Sequence, residues 1–187
     1  MRDDSPEASG ARQEPALLLV LLAGIAAVLS FSVSAGELLD DPAVDGILVA
    51  VMVFLGGGIY GFAAYWLGGA ALYWGERGAR GEGSYRQARH VLAYAMAPMA
   101  LSLVVIWPVR LALYGSDNFR TGGADHGAGA WVFAGITLGF LVWSLVLVLL
   151  GVRELNGWTT IRSLGALLLT VIALLMVATV ALVLGRG

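Results

Sequence analysis

Long uncharged stretches alternate with short charged clusters along the chain, and this pattern is the main structural signal. Five uncharged windows cover 15–36, 46–75, 90–109, 126–152 and 163–185. A helix needs about 20 mostly apolar residues to cross the hydrocarbon core of a bilayer. Backbone groups in lipid must be satisfied internally, and apolar runs such as Leu145 to Leu150 do not alternate as barrel strands do. The pattern therefore predicts an all-α, polytopic bundle of five transmembrane helices.

The predicted domain organisation is a disordered tail over residues 1–14, followed by one five-helix transmembrane domain over 15–187. The spans are placed at about 15–36, 46–74, 90–114, 128–152 and 163–185. Val33, Ser34 and Ala35 resemble a signal-peptide cleavage site, but the acidic tail and the long apolar run favour a retained first span.

Arginine placement predicts the orientation. Eight arginines lie in the N-terminal tail, the second loop (residues 75–89) and the fourth loop (residues 151–163), and the opposite side carries three. Arginine is enriched in cytoplasmic loops. We therefore expect the N-terminus inside and the C-terminus outside, in a multi-pass protein of the inner membrane.

Composition excludes several classes of function. Hydrophobic residues make up 59% of the chain and charged residues 13%, which leaves too little polar surface for a soluble fold. A net charge of −2 argues against nucleic-acid binding, and cysteine is absent. The two histidines and the acids form no metal-ligand pattern, and no cofactor motif or catalytic signature occurs. We expect neither cofactor nor metal, and no enzyme activity.

Two features inside the spans are candidate functional sites. Small residues at Gly57, Gly61, Ala64 and Gly68 share one face of the second span and predict close helix packing, either within the chain or between copies. The third span carries Pro98 and Pro108, which can kink the helix and free a carbonyl near Tyr94. A broken helix of this kind can also mark a transport site.

The second and fourth loops should meet, since both lie on the predicted inner side. Glu154 is the one acid of the fourth loop, and we expect it to approach Arg86 or Arg89 in a polar surface. Ser84 and Gln87 have the spacing of a helix-capping pair ahead of the third span.

Two stretches of the chain carry a recognisable combination of motifs. They run from Gly81 through Ser84-Tyr85-Arg86-Gln87 to Pro98, and from Trp143 through Gly151-Val152-Arg153-Glu154-Leu155-Asn156-Gly157-Trp158 to Ala166. Together they resemble the prokaryotic branch of the Yip family of Ypt/Rab-interacting membrane proteins. The Asp-Leu-Tyr-Gly-Pro signature of eukaryotic members, which bind prenylated GTPases, is absent here. The resemblance implies the five-span fold and a non-enzymatic membrane adaptor or organiser.

This adaptor is expected to contact lipid and a protein partner, or to self-associate. The alternative hypothesis is a small transporter or channel subunit that uses the proline-broken third span. The two hypotheses predict different bundle interiors. An apolar interior favours the adaptor, and a hydrated cavity beside Tyr94 and Pro98 favours transport.

Overall fold

A computed structural model describes residues 14–35, 45–120 and 127–185, and in this part of the chain all regular structure is helical. The elements are α1 (Glu14–Ala35), α2 (Gly46–Ala63), a π-helical turn (Ala64–Gly68), α3 (Gly69–Gly78), α4 (Tyr85–Ala95), α5 (Ala97–Tyr114), a 3-10 turn (Gly115–Phe119), α6 (Gly127–Asn156) and α7 (Thr160–Leu184). The all-α prediction is confirmed. The predicted disordered tail lies, apart from Glu14, outside the described residues.

Within residues 14–35, 45–120 and 127–185, five helical segments are long and apolar enough to cross a membrane, in agreement with the predicted number. They are Pro15–Val33, Gly46–Gly78, Tyr85–Phe119, Gly127–Asn156 and Thr160–Val180. The second extends beyond the predicted end at 74, and the third begins before the predicted start at 90. Charged residues mark the edge of the hydrocarbon, whereas a helix can continue through the headgroup region, and this accounts for both differences.

The third span is broken at Met96, between α4 and α5. Pro98 occupies the first turn of α5, where the lack of a backbone N–H is tolerated. Proline also crowds the carbonyl of the residue four positions earlier, here Tyr94. Pro108 lies inside α5, which continues through it to Tyr114. Tyr94 is exposed and Pro98 is buried. A transport role for this segment stays a prediction.

The chain divides into two compact units. The first comprises Met1–Phe62 and Met96–Ser144, and the second comprises Ala63–Ala95 and Leu145–Gly187. In the first unit, Val33, Val49, Val53, Trp107 and Phe119 form an apolar core.

The predicted small-residue face of α2 packs against α1 in the first unit. A Cβ atom added to Gly57 would lie 2.6 Å from the Cα atom of Ile25, and one added to Gly61 would lie 2.5 Å from the carbonyl oxygen of Val20. Only hydrogen fits at these positions, so α1 and α2 are in backbone contact. Of the other two residues of the face, Ala64 is partly buried, and Gly68 approaches the side chain of Leu92 in the second unit.

The second unit is built around α3, which packs against α4 and α7. Its core contains Leu72, Ala88, Val152, Trp158 and Ala166. A Cβ atom on Gly75 would lie 2.5 Å from the carbonyl oxygen of Ala166, so α3 and α7 also approach through glycine. This close contact positions the second and fourth loops.

Replacing Gly61 by alanine should destabilise the first unit. The added methyl group would overlap the Val20 carbonyl, and overpacking of this kind costs about 1–3 kcal/mol. Gly139 is the matched control, because nothing lies within 4 Å of its Cβ position in α6. Alanine there should be neutral or stabilising, since alanine favours helix more than glycine does. Thermal unfolding in detergent should show opposite signs for the two variants, and equal midpoints would contradict the packing.

Candidate functional site at the second and fourth loops

The C-terminus of α3 ends in a turn that two backbone hydrogen bonds hold together. The N–H of Gly81 donates to the carbonyl of Glu76 at 2.7 Å, and the N–H of Arg80 donates to the carbonyl of Arg77 at 3.0 Å. This is the Schellman pattern of helix ends, in which the left-handed residue is usually glycine. Here Arg80 occupies that position, with a φ angle of 62°.

Arg162, at the start of α7, fastens the second loop to the fourth. Its Nη2 atom donates to the carbonyl of Ala79 at 2.9 Å and to that of Arg80 at 3.4 Å, and its Nε atom donates to Ala79 at 3.3 Å. The guanidinium also lies 4.4 Å from the ring centroid of Trp158, a distance typical of cation–π contact. A cation at the end of α3 complements the helix dipole as well.

The two loops enclose a polar pocket of about 400 Å³. Its lining residues are Arg80, Glu82, Gly83, Gln87, Leu155, Asn156, Trp158 and Arg162. Gln87 is held by the predicted capping pair, which is confirmed: its Oε1 accepts from the Ser84 N–H at 2.8 Å, and its own N–H donates to the Ser84 hydroxyl at 3.3 Å. Asn156 donates to the carbonyl of Val152 at 3.1 Å.

Glu76 lies directly behind this lining and is fully buried. Neither carboxylate oxygen has a hydrogen-bond partner among the described residues. The side chain of Asn156 approaches the carboxyl group without reaching hydrogen-bond geometry. A Cβ atom on Gly83 would lie 3.0 Å from the Glu76 Oε2 atom and 3.1 Å from Leu155. The carboxyl group therefore lies next to Gly83, which lines the pocket, although Glu76 itself is not part of the lining.

A second cluster surrounds Arg89. Its guanidinium lies 4.0 Å from the ring centroid of Trp66, 4.6 Å from that of Tyr85 and 5.1 Å from that of Tyr65. The hydroxyl of Tyr85 donates to the carbonyl of Trp66 at 2.9 Å. Tyr65 and Trp66 belong to the π-helical turn, a distortion often found at functional sites.

The expectation that the second and fourth loops meet is confirmed, but the expected contact through Glu154 is not observed. Arg86 and Glu154 are exposed and Arg89 is turned to the aromatic rings, and among the described residues none of these three takes part in an ion pair. Arg162 makes the connection instead. A role for the three residues as one polar surface stays a prediction.

Two residues of the site were not predicted from the sequence. Glu76 falls within the second loop as the charge pattern defines it, yet it follows Leu72 by four residues and so shares the buried face of α3. The helical period, continued past the first charge, would have placed it there. Arg162 offers no comparable local signal, because the carbonyls that it binds are distant in sequence.

The five membrane-spanning helices and the polar loops define a multi-pass α-helical membrane protein. A family model described as the Yip1 domain matches residues 6–183, so the chain belongs to the Yip1 domain family. This confirms the resemblance to the Yip family that was drawn from the two loop motifs, several of whose residues line the pocket, while the prokaryotic branch stays a prediction. Searches of curated proteins and of solved structures give no match to this chain.

Replacing Arg162 by lysine should loosen the second loop. Lysine keeps the charge but cannot donate from a planar fork to two carbonyls, nor stack as well on Trp158. Losing charge-assisted hydrogen bonds should speed amide hydrogen exchange over residues 79–84 by about tenfold. Arg153→Lys is the control, because Arg153 is exposed in the fourth loop and makes no such contact. Unchanged exchange in Arg162→Lys would refute the fastening role.

Proposed function

We propose that this protein is a non-enzymatic membrane adaptor whose second and fourth loops form one partner-binding surface. The observation that supports this most is the Arg162 contact, which joins residues 82 and 83 positions apart and gives the loops a fixed shape. A preorganised surface loses less conformational entropy on binding than two independent loops would. Membership of the Yip1 domain family is consistent with a membrane-embedded binding role.

The charge of this surface favours an acidic partner. Its exposed basic residues outnumber its exposed acids, Glu82 and Glu154. The basic residues are Arg77, Arg80, Arg86, Arg153 and Arg162. Unbalanced positive charge steers a negatively charged partner during encounter and disfavours basic ones.

The proposal includes an inner-membrane location with the N-terminus inside, so that this surface faces the cytoplasm. Arginine asymmetry supports that orientation. Reporter fusions after residue 82 and at the C-terminus should read cytoplasmic and periplasmic, respectively. A cytoplasmic C-terminus together with a periplasmic residue 82 would reverse the orientation and remove the surface from cytoplasmic partners.

A partner should be captured by photocrosslinking at the loop surface in native membranes. Crosslinkable residues at Glu82 and Glu154 should give the same adduct, because the loops form one surface. Leu168, an exposed apolar residue of α7, is the lipid-facing control and should not give it. Arg153→Glu should weaken the adduct by about tenfold, since charge reversal adds repulsion, whereas Arg120→Glu in the first unit should not. Different adducts at Glu82 and Glu154 would refute a shared surface.

Self-association is the second part of the proposal, and it would use a face other than that of Gly57 and Gly61, which α1 already occupies in the first unit. The transport alternative is supported by the helix break at Met96. Tyr94→Cys labelling by a membrane-impermeant maleimide separates the two readings, because the chain has no other cysteine. Rapid labelling would favour a hydrated pathway, and protection equal to that of Val104→Cys would favour the adaptor.

A further inference from the structure

The geometry points to a binding site for a phosphate ester that carries a primary ammonium, the chemistry of a phosphoethanolamine group, in the pocket between the second and fourth loops. The phosphate would lie between Arg80 and Arg162, and the ammonium would lie toward Glu82. This site goes beyond the adaptor proposal and does not rest on it, because headgroup binding requires no protein partner.

The pocket holds charges of both signs that do not neutralise one another. Arg80, Arg162 and Glu82 all line it, yet no ion pair joins them in the described part of the chain. Arg162 uses Nε and Nη2 on backbone carbonyls, which leaves Nη1 without a protein acceptor among the described residues. Two guanidiniums provide donors suited to phosphate oxygens. Opposite charges held apart in one cavity are complementary to a dipolar ligand.

The backbone at Arg80 indicates that its side chain is required. A left-handed conformation costs an ordinary residue roughly 1 kcal/mol, and glycine would avoid this cost at the end of α3. The guanidinium of Arg80 makes no hydrogen bond or ion pair with the described residues that would offset it. Strained residues of this kind concentrate at binding sites. Arg80 is therefore better explained by a ligand in the pocket than by the fold.

Glu76 supplies an independent indication of a ligand. A buried carboxyl group without a hydrogen-bond partner is unfavourable, and native structures rarely retain one without a reason. Its Oε2 atom lies 3.0 Å from the Cβ position of Gly83, a residue that lines the pocket, although Glu76 itself is not part of the lining. A cationic group seated in the pocket beside Glu82 would place positive charge on the Gly83 side of this carboxyl group.

The same contacts favour a primary ammonium over a quaternary one. Recognition of choline typically uses several aromatic faces, and the face of Trp158 is already covered by the guanidinium of Arg162. The Glu82 carboxylate and the Gln87 and Asn156 amides favour a group with N–H donors. A purely anionic headgroup such as phosphatidylglycerol would leave the acidic side of the pocket without a counterpart.

Lipid retention tests this assignment directly. The full-length protein in detergent is mixed with phosphatidylethanolamine, its N-methylated derivatives, phosphatidylcholine or phosphatidylglycerol, all with identical acyl chains, and bound lipid is quantified by native mass spectrometry. Phosphatidylethanolamine should bind about tenfold more tightly than phosphatidylcholine, with affinity falling at each added methyl group. Equal binding of phosphatidylethanolamine and phosphatidylcholine, or tighter binding of phosphatidylglycerol, would overturn the proposal.

The source of the headgroup is identified by a parallel titration with glycerophosphoethanolamine in water. Binding of the soluble compound with similar affinity would identify a free phosphate ester as the ligand, and binding of the lipid alone would identify the membrane. Both outcomes support the site, whereas binding of neither overturns it. Because these arms contain no protein partner, their failure leaves the crosslinking test of the adaptor surface unaffected.

Single substitutions in the pocket distinguish a loss of lipid affinity from a loss of folding stability. Arg80→Gly should lower phosphatidylethanolamine affinity by about tenfold while leaving the thermal midpoint unchanged or higher, because glycine relieves the backbone strain. Glu82→Gln should also lower affinity. Arg153→Ala and Glu154→Gln are matched controls, being exposed charges of the fourth loop outside the pocket lining. An equal loss in the controls would mean non-specific surface charge, and a lower midpoint in Arg80→Gly would mean a structural role for Arg80; either result refutes the site.

Discussion

The carbonyl groups at and just beyond the end of α3 need hydrogen-bond donors, and Arg162 supplies those for Ala79 and Arg80. A helix leaves its last carbonyls without partners inside the helix. At a membrane boundary, where water is scarce, unpaired carbonyls are unfavourable. The Schellman turn satisfies those of Glu76 and Arg77, and Arg162 satisfies those of Ala79 and Arg80. The same contact fixes the second loop against the fourth, so the pocket and the exposed basic surface both depend on it.

Two glycines allow the second and fourth loops to approach each other. Gly75 allows α3 to approach α7 closely enough for Arg162 to reach the α3 terminus, and Gly83 allows the second loop to lie on the carboxyl group of Glu76. A side chain at Gly75 would overlap the backbone of α7, whereas a Cβ atom at Gly83 would require Glu76 and Leu155 to move by only a few tenths of an ångström. Glu82 gives the pocket its acidic side, while Arg80 and Arg162 give it a basic side. The close packing of the two loops and the separation of acidic from basic side chains in the pocket thus follow from the same backbone geometry.

The sequence predicts those features that depend on local residue spacing or on the length of an apolar segment. Five spans follow from the length of apolar runs that lipid requires, and the Ser84–Gln87 cap follows from residue spacing. The charge pattern ends the second span before Glu76, whereas α3 continues through it to Gly78. The Arg162 contact joins residues more than 80 positions apart, and no local pattern encodes that distance. Arg89 was expected to face an acid, but the aromatic rings of the π-helical turn provide an alternative partner for its charge.

Disulfide crosslinking of Gly83→Cys with Leu155→Cys in native membranes tests most directly whether the two loops form one surface. A Cβ atom at Gly83 would lie 3.7 Å from the Cγ atom of Leu155, so a disulfide is geometrically accessible, and the chain has no other cysteine to compete. Gly83→Cys with Glu154→Cys is the matched pair, shifted by one residue to an exposed side chain. Rapid crosslinking of the first pair and slow crosslinking of the second is the predicted result. Equal rates for the two pairs, or no crosslink in the first, would contradict a fixed contact between the loops.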